Sequence, residues 1–180
     1  MIRRTLLAAT AAALVGAAAL PAVAQDSSAN AVAPHFTAPE AAAFSKQVER
    51  DLATRGARLA IVFRTGRPRS QLPEGISYTH GGFWVHRTIR TADGKTQQGY
   101  AVYNLYAGDG KAWSKIESRL VQDYPFDFTR GSTVDDMAVI IPSPEMQRRI
   151  IAVIDSPTYQ AVHNPAYSLV ANPWKRTYQN

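Results

Sequence analysis

"GFWVHRTIRTADGKTQQGYAVYNLY" runs from Gly82 to Tyr106, and the pairing of the chain can be read there first. Two segments of alternating character, Gly82 to Arg90 and Gln98 to Tyr106, flank "TADGKTQ". A period of two marks half-buried strands, and Asp93-Gly94 between them is a hairpin signal. The pattern predicts an antiparallel pair. A two-residue turn at Asp93-Gly94 would set Tyr103 across from Trp84. If the first strand begins at His80, then His80, Gly82, Trp84 and His86 share one face. Phe83, Val85 and Ile89 take the other, the expected core face.

Upstream, "LAIVFRT" (Leu59 to Thr65) is a short apolar run that predicts an interior strand, and "GRPRSQLPEG" reads as a loop. "TAPE" opens a helix, with Thr37 as cap and Glu40 completing a capping box. Phe44, Val48 and Leu52 form its apolar stripe, and Arg55-Gly56 ends it. Downstream, Trp113, Ile116 and Leu120 fit a helical face. "DDMAVIIP" predicts a strand closed by Pro142. "SPEMQRRIIAVIDSP" predicts a helix capped by Ser143, with Pro144 at its first position and Ser156-Pro157 as its stop. Residues from Thr158 to Asn180 read as loop. Helix, strand, hairpin, helix, strand and helix in that order predict a single α+β domain over residues 37–180, built on an antiparallel sheet with a central hairpin and flanking helices.

Before it, "MIRR", an Ala- and Leu-rich run and "AVA" at Ala22 to Ala24 form a secretory signal peptide, with a cut expected after Ala24. Residues 25–36 then make a polar leader. The expected address is the periplasm or beyond, with no transmembrane anchor after cleavage. The chain contains no cysteine, which excludes disulfides and thiolate metal sites within its 180 residues. Loss of Arg3 and Arg4 leaves 18 basic against 14 acidic residues, a net charge of about +4 spread in small groups. Nucleic acid is not an expected partner, and weak attraction to anionic envelope polymers is.

His80 is the candidate for proton transfer, because an imidazole titrates near neutral pH and Gly81-Gly82 beside it is sterically open. An ordinary histidine hydrogen-bonded beside a turn remains the alternative. His86 lies six residues on, about 20 Å along a strand, so the two cannot share a metal ion. His35 and His163 have no ligand-like neighbours. No metal site and no cofactor is implied, since G-x-S-x-G, G-x-x-x-x-G-K-[ST] and G-x-G-x-x-G are all absent. Asp135-Asp136 reads as a solvated turn. Tyr159, Tyr167, Trp174 and Tyr178 make the tail aromatic, suited to packing on the sheet or to stacking on sugars.

The unit from Leu59 to Val85, with "YTHGGFWV", and "YSLVANPWKRTYQN" (Tyr167 to Asn180) resemble an exported bacterial family, domain of unknown function 2145. The resemblance covers the chain from about Phe44 onward and implies no activity. More distantly, "THGGFWV" resembles the histidine-bearing strand start of circularly permuted papain-fold hydrolases of the NlpC type. That likeness implies a papain-like scaffold, His80 as general base and Asn104, in "VYNLY", as the residue that orients it. Hairpin parity with a two-residue turn points Asn104 to the opposite face, so a bulge or longer turn would be required. It also implies a cysteine opening a helix near the C-terminus, a residue expected beyond Asn180 if the protein is an enzyme.

Two functions stay open. One is a relative of cysteine-type amidases or peptidases acting on cell-wall peptides or lipid-linked amides, expected to be inactive over these 180 residues because they hold no cysteine, with Gly81 and Gly82 leaving room for substrate. The other is a non-catalytic envelope protein that binds a peptide, glycan or partner protein through Trp84, Tyr103 and the aromatic tail.

Overall fold

The computed structural model describes residues 35–91, 93–106, 118–163 and 165. The expected signal segment, most of the expected leader, Trp113, Ile116 and the tail motif from Tyr167 onward lie outside them. The first element is α1 (Ala38–Thr54). The Glu40 carboxylate accepts from the Thr37 N–H at 2.8 Å, and the Glu40 N–H reaches the Thr37 hydroxyl at 3.5 Å, closing the capping box. Its end is a Schellman turn. Gly56 takes φ +65°, and the Ala57 N–H donates to the Leu52 carbonyl at 3.0 Å.

The sheet holds β1 (Leu59–Arg64), β2 (His80–Arg90), β3 (Thr96–Tyr106), β4 (Arg119–Asp123) and β5 (Ala138–Ile140). Their order is β4-β3-β2-β1-β5, and every pairing is antiparallel. Three short or medium helices complete the chain: α2 (Pro125–Arg130), α3 (Pro144–Ile154) and α4 (Pro157–Ala161). The class is therefore α+β. As expected, Ser143 caps α3 and Pro144 opens it.

Helices cover both faces of the sheet. Ala60, Val62, Trp84, Tyr100 and Val102 pack with Leu52 of α1 and Phe128 of α2. Leu59, Ile61, Val85, Phe83 and Tyr103 pack with Ile150, Ile151 and Ile154 of α3 and Tyr159 of α4. So the face of Trp84, expected to be the outer one, is as much core as the face of Val85. Burial on both sides is why β1 reads as an unbroken apolar run. Gln147 ties α3 to the sheet: its side-chain oxygen accepts from the N–H groups of Arg58 and Leu59 at 2.9 and 3.0 Å.

The hairpin turn is longer than the two residues expected. The Thr91 N–H donates to the Lys95 carbonyl at 2.8 Å, the Gly94 N–H to the Thr91 carbonyl at 2.9 Å, and Gly94 has φ +83°. This three-residue connection with a left-handed glycine shifts the register by one. Trp84 faces Val102, and Tyr103 faces Phe83. Leu120 is a further correction. It lies in β4, because its segment finds a ladder partner in β3, with Leu105 across from it. The segment after Thr158 begins in helix α4 instead of loop, because Ser156 caps it through the Thr158 N–H at 3.2 Å.

Leu52 is fully buried, whereas Ile140 on the outermost strand is 52% exposed. Leu52→Ala should lower the unfolding free energy by about 2–5 kcal/mol. Ile140→Ala should change it by no more than about 0.5 kcal/mol. Urea denaturation followed by circular dichroism measures both.

Candidate functional site

His80 opens β2 directly across from Arg64, the last residue of β1. Two bonds from Thr79 carry the strands into that pairing. Its N–H donates to the Arg64 carbonyl at 3.0 Å, and its hydroxyl accepts from the Gly66 N–H at 2.8 Å. The longer hairpin turn settles the parity of Asn104. Its carboxamide lies on the face of His80, and Oδ1 sits 3.2 Å from His80 Nε2.

The rest of the network fixes which atoms carry protons. Asn104 Nδ2 donates to Asp123 Oδ2 at 3.3 Å and to the Tyr106 hydroxyl at 3.2 Å. The Tyr106 hydroxyl in turn donates to Asp123. An ionised carboxylate only accepts, so the amide nitrogen of Asn104 must face Asp123 and its oxygen must face His80. Nε2 therefore carries the imidazole proton, and Nδ1 keeps a free lone pair. Asp123 anchors the chain, Asn104 relays it, and His80 is held in one tautomer.

The residue His80 is half-buried, and its ring packs between Tyr106 (centroids 5.9 Å, nearly parallel) and Phe128 (5.7 Å). Burial, and then the field of Arg64, pull the imidazole down to about 3, against a smaller upward pull from the Asn104 bond. The ring is thus neutral at physiological pH. Arg64 is itself almost fully buried, and desolvation lowers it to about 10, which leaves it charged. Its guanidinium donates to the Gly131 carbonyl and lies 5.2 Å from the centre of the Phe128 ring. Burial, and then the nearby Asp123, raise Tyr106 above its ordinary range, so it remains a hydroxyl donor. Asp127, on α2, is also raised, first by burial and then by Asp123.

The glycines do a different job from the one expected. A Cβ on Gly82 would lie 2.6 Å from Asn104 Oδ1 and 3.1 Å from the Phe128 ring. The space it leaves is occupied by the side chain that orients His80, not kept for substrate. A Cβ on Gly81 would meet the Phe63 ring at 2.9 Å. Gly81 is exposed, so the start of β2 does reach solvent.

Trp84 corrects a second expectation. It is wholly buried, edge-on to Phe128 at 5.7 Å, because α1 and α2 close over its face. It forms no contact surface. Tyr103 lies on the opposite face, with its hydroxyl accepting from Arg87 at 2.6 Å and its ring against Tyr159. Trp84 and Tyr103 therefore cannot build one aromatic wall. Among the described residues no group of three or more His, Asp and Glu could hold a metal ion. No described helix is long and apolar enough to cross a membrane.

Sequence reasoning named His80 and Asn104 but missed Arg64, Tyr106 and Asp123. Tyr106 follows Asn104 by two residues and shares its face in any strand, which was a usable signal. Arg64, a charge closing an apolar strand, was another. Asp123 had none, because β4 was not foreseen.

The architecture is that of an α+β domain with an antiparallel sheet between two helical layers and a buried polar cluster at the β1–β2 junction. A family model described as an uncharacterized protein conserved in bacteria, DUF2145, matches residues 51–180, and the chain belongs to that family. No curated protein matches the chain. No solved structure matches it either.

Two outcomes follow. Gly82→Ala should displace Asn104 and cost about 1–3 kcal/mol through the broken buried hydrogen bonds, read by denaturation, with the His80 ring signals shifted in NMR spectra. The second is a pH dependence. In the unfolded chain His80 takes up its proton near 6.5, in the folded chain only near 3. Between these values the unfolded state binds more protons, so this group's stabilisation is complete above pH 6.5 and is lost as the pH falls toward 3. Relative to His80→Gln, the wild type should lose on the order of a few kcal/mol across that window in urea titrations.

Proposed function

We propose that the protein is an exported bacterial domain with an amidase-type proton-transfer site, in which His80 is the base and Asn104 positions it. The observation that carries this reading is the bond between His80 Nε2 and Asn104 Oδ1, with Asn104 held in turn by Asp123 and Tyr106. A neutral imidazole with one nitrogen pinned and the other free to accept is the state a general base requires. Arg64 opposite His80 favours a negative charge forming nearby and keeps the resting imidazole neutral.

The substrate class in this reading is an amide of the cell envelope, a peptidoglycan peptide or a lipid-linked amide. His80 Nδ1 takes the proton of the nucleophile as it attacks the carbonyl carbon, and returns it to the departing amine as the C–N bond breaks. The 180 residues contain no cysteine, so none of them supplies a thiol for this role. The signal-like N-terminus supports export, and the papain-like likeness of "THGGFWV" supports the reaction class.

The test is amide hydrolysis of purified peptidoglycan fragments and of N-acyl amino acids by the natively expressed full chain. His80→Ala should lower the rate by about a hundredfold or more. Asn104→Ala should lower it less and shift its pH profile, with the melting temperature as control for folding. Hydrolysis that is absent, or indifferent to His80→Ala, overturns the proposal.

A further inference from the structure

Beyond the pair Phe83–Tyr103 the sheet forks. The β2–β3 ladder runs from Arg90–Thr96 to Phe83–Tyr103 and ends there, although β2 reaches back to His80 and β3 runs on to Tyr106. Each arm keeps its outer neighbour: residues 80–82 stay paired with β1, and residues 104–106 with β4. Side chains bridge the fork on one face, through the His80–Asn104 bond and the stacked rings of His80 and Tyr106.

Two bonds elsewhere decide which main-chain groups face into it. Antiparallel neighbours alternate between pairs that exchange both bonds and pairs that exchange none. The Thr91 N–H donates to the Lys95 carbonyl, so the odd-numbered residues of β2, down to Phe83, bond to β3. The His86 N–H donates to the Arg58 carbonyl at 2.9 Å, so the even-numbered residues bond on the β1 side. Both counts turn the N–H of Gly81 into the fork. Leu105, its partner in a continued ladder, is not paired with it, and among the described residues no other group accepts from it.

What opens onto solvent is narrow. Gly82 is buried, and Asn104 and Tyr106 are 2% and 3% exposed, so the base of the fork is filled. Gly81 is exposed. The fork therefore offers one accessible main-chain donor instead of a length of strand edge, and that donor belongs to the residue that follows His80 in the chain. The place of a Gly81 Cβ is taken by the Phe63 ring, at 2.9 Å. Glycine at 81 is thus a matter of packing, and its unpaired N–H is a consequence of the fork.

We propose that the Gly81 N–H is the donor that receives the carbonyl oxygen of the substrate amide. The inference rests on the reading of His80 as the base. A base that serves amide hydrolysis needs the carbonyl held beside it, and a donor aimed at that oxygen without reorganisation is worth most. The Gly81 N–H meets this need: its direction is set by a strand, it reaches solvent, and no side-chain rotamer has to be fixed to present it. Donor and base also sit on one stretch of β2, so the strand holds their separation constant. Arg64, paired with His80 from β1, favours an oxygen that gains negative charge at this end of the sheet. An N–H donor without charge selects a carbonyl from either source, a peptide or a lipid-linked amide.

The test needs no turnover. Gly81→glycolic acid puts an ester oxygen in place of the N–H. Because that N–H has no partner in the fold, the melting temperature and the His80 ring signals should change little. The same exchange at Phe83, whose N–H belongs to the ladder, should lower the melting temperature by about 4 °C or more. Two probes are titrated into the nitrogen-15-labelled chain, an acetylated dipeptide amide and N-hexanoyl methylamide. One or both should move the Gly81 amide signal downfield and slow its hydrogen exchange, with a dissociation constant of about 1 mM, and the tighter one names the source of the carbonyl. In the Gly81 ester chain, followed at the His80 ring, that binding should weaken at least about tenfold. A response at the His80 ring without one at the Gly81 amide, or equal binding by the ester chain, overturns this inference and leaves the reading of His80 standing. A Gly81 ester as destabilising as the one at Phe83 also overturns it, since the N–H is then bonded within the fold. No response at either residue overturns both.

Discussion

Thr91 and Lys95 close the central hairpin across a left-handed Gly94, and the odd number of residues between them fixes the face of every side chain on β3. Strand side chains alternate, so a slip of one residue would carry the whole strand over. Asn104 would leave His80, Val102 would leave Trp84, and Tyr103 would exchange its place beside Arg87 for the buried core. Cores on both faces of the sheet hold the register against that slip, since each would receive the other's residues. The polar cluster inherits its geometry from this turn, some ten residues away along each strand.

That cluster joins one cation, one carboxylate and three neutral polar groups in a poorly solvated place. Arg64 and Asp123 balance each other in sign, and Asn104, Tyr106 and His80 bridge the space around the carboxylate by hydrogen bonds. Buried charges return less than their desolvation costs unless their bonds are satisfied. Replacing these groups by apolar residues of similar shape would therefore not weaken the fold by necessity. Their retention is better explained by what they impose on His80: neutrality, one tautomer and one orientation. Gly82 and Gly131 support the same end, since a Cβ on the first would strike Asn104 and on the second the Arg64 guanidinium, at 2.6 and 2.5 Å.

Local chemistry made much of this legible in the sequence. The capping box at Thr37, the Ser143-Pro144 opening and the alternating hairpin strands are decided within a few residues, and they stand where the pattern put them. The turn was harder, because Asp93-Gly94 suits both a two-residue turn and a three-residue turn with glycine last, and only tertiary packing chooses. The spacing of Trp113, Ile116 and Leu120 suits a helix and says nothing about the β3 edge that takes up Leu120 in β4. α2 has six residues, too few to hold a helix without Phe128 buried beneath the sheet. An alternating strand with one buried face would turn Trp84 outward, and the apolar character of β1 on both faces is the available sign against it.

Pro125 connects the two halves of the molecule's chemistry. By ending β4 at Asp123 it places that carboxylate beside Asn104 and Tyr106, at the point where the strand must turn away. By opening α2 it brings Phe128 beneath His80 and Trp84 three residues later. Among the described residues, the same departure leaves Gln98 and Tyr100 with a strand partner on the β2 side alone. A longer β4 would extend the ladder, but it would carry Phe128 past the ring it desolvates. The buried cluster and the short β3–β4 pairing thus share one cause, the residue at position 125 that cannot extend the ladder.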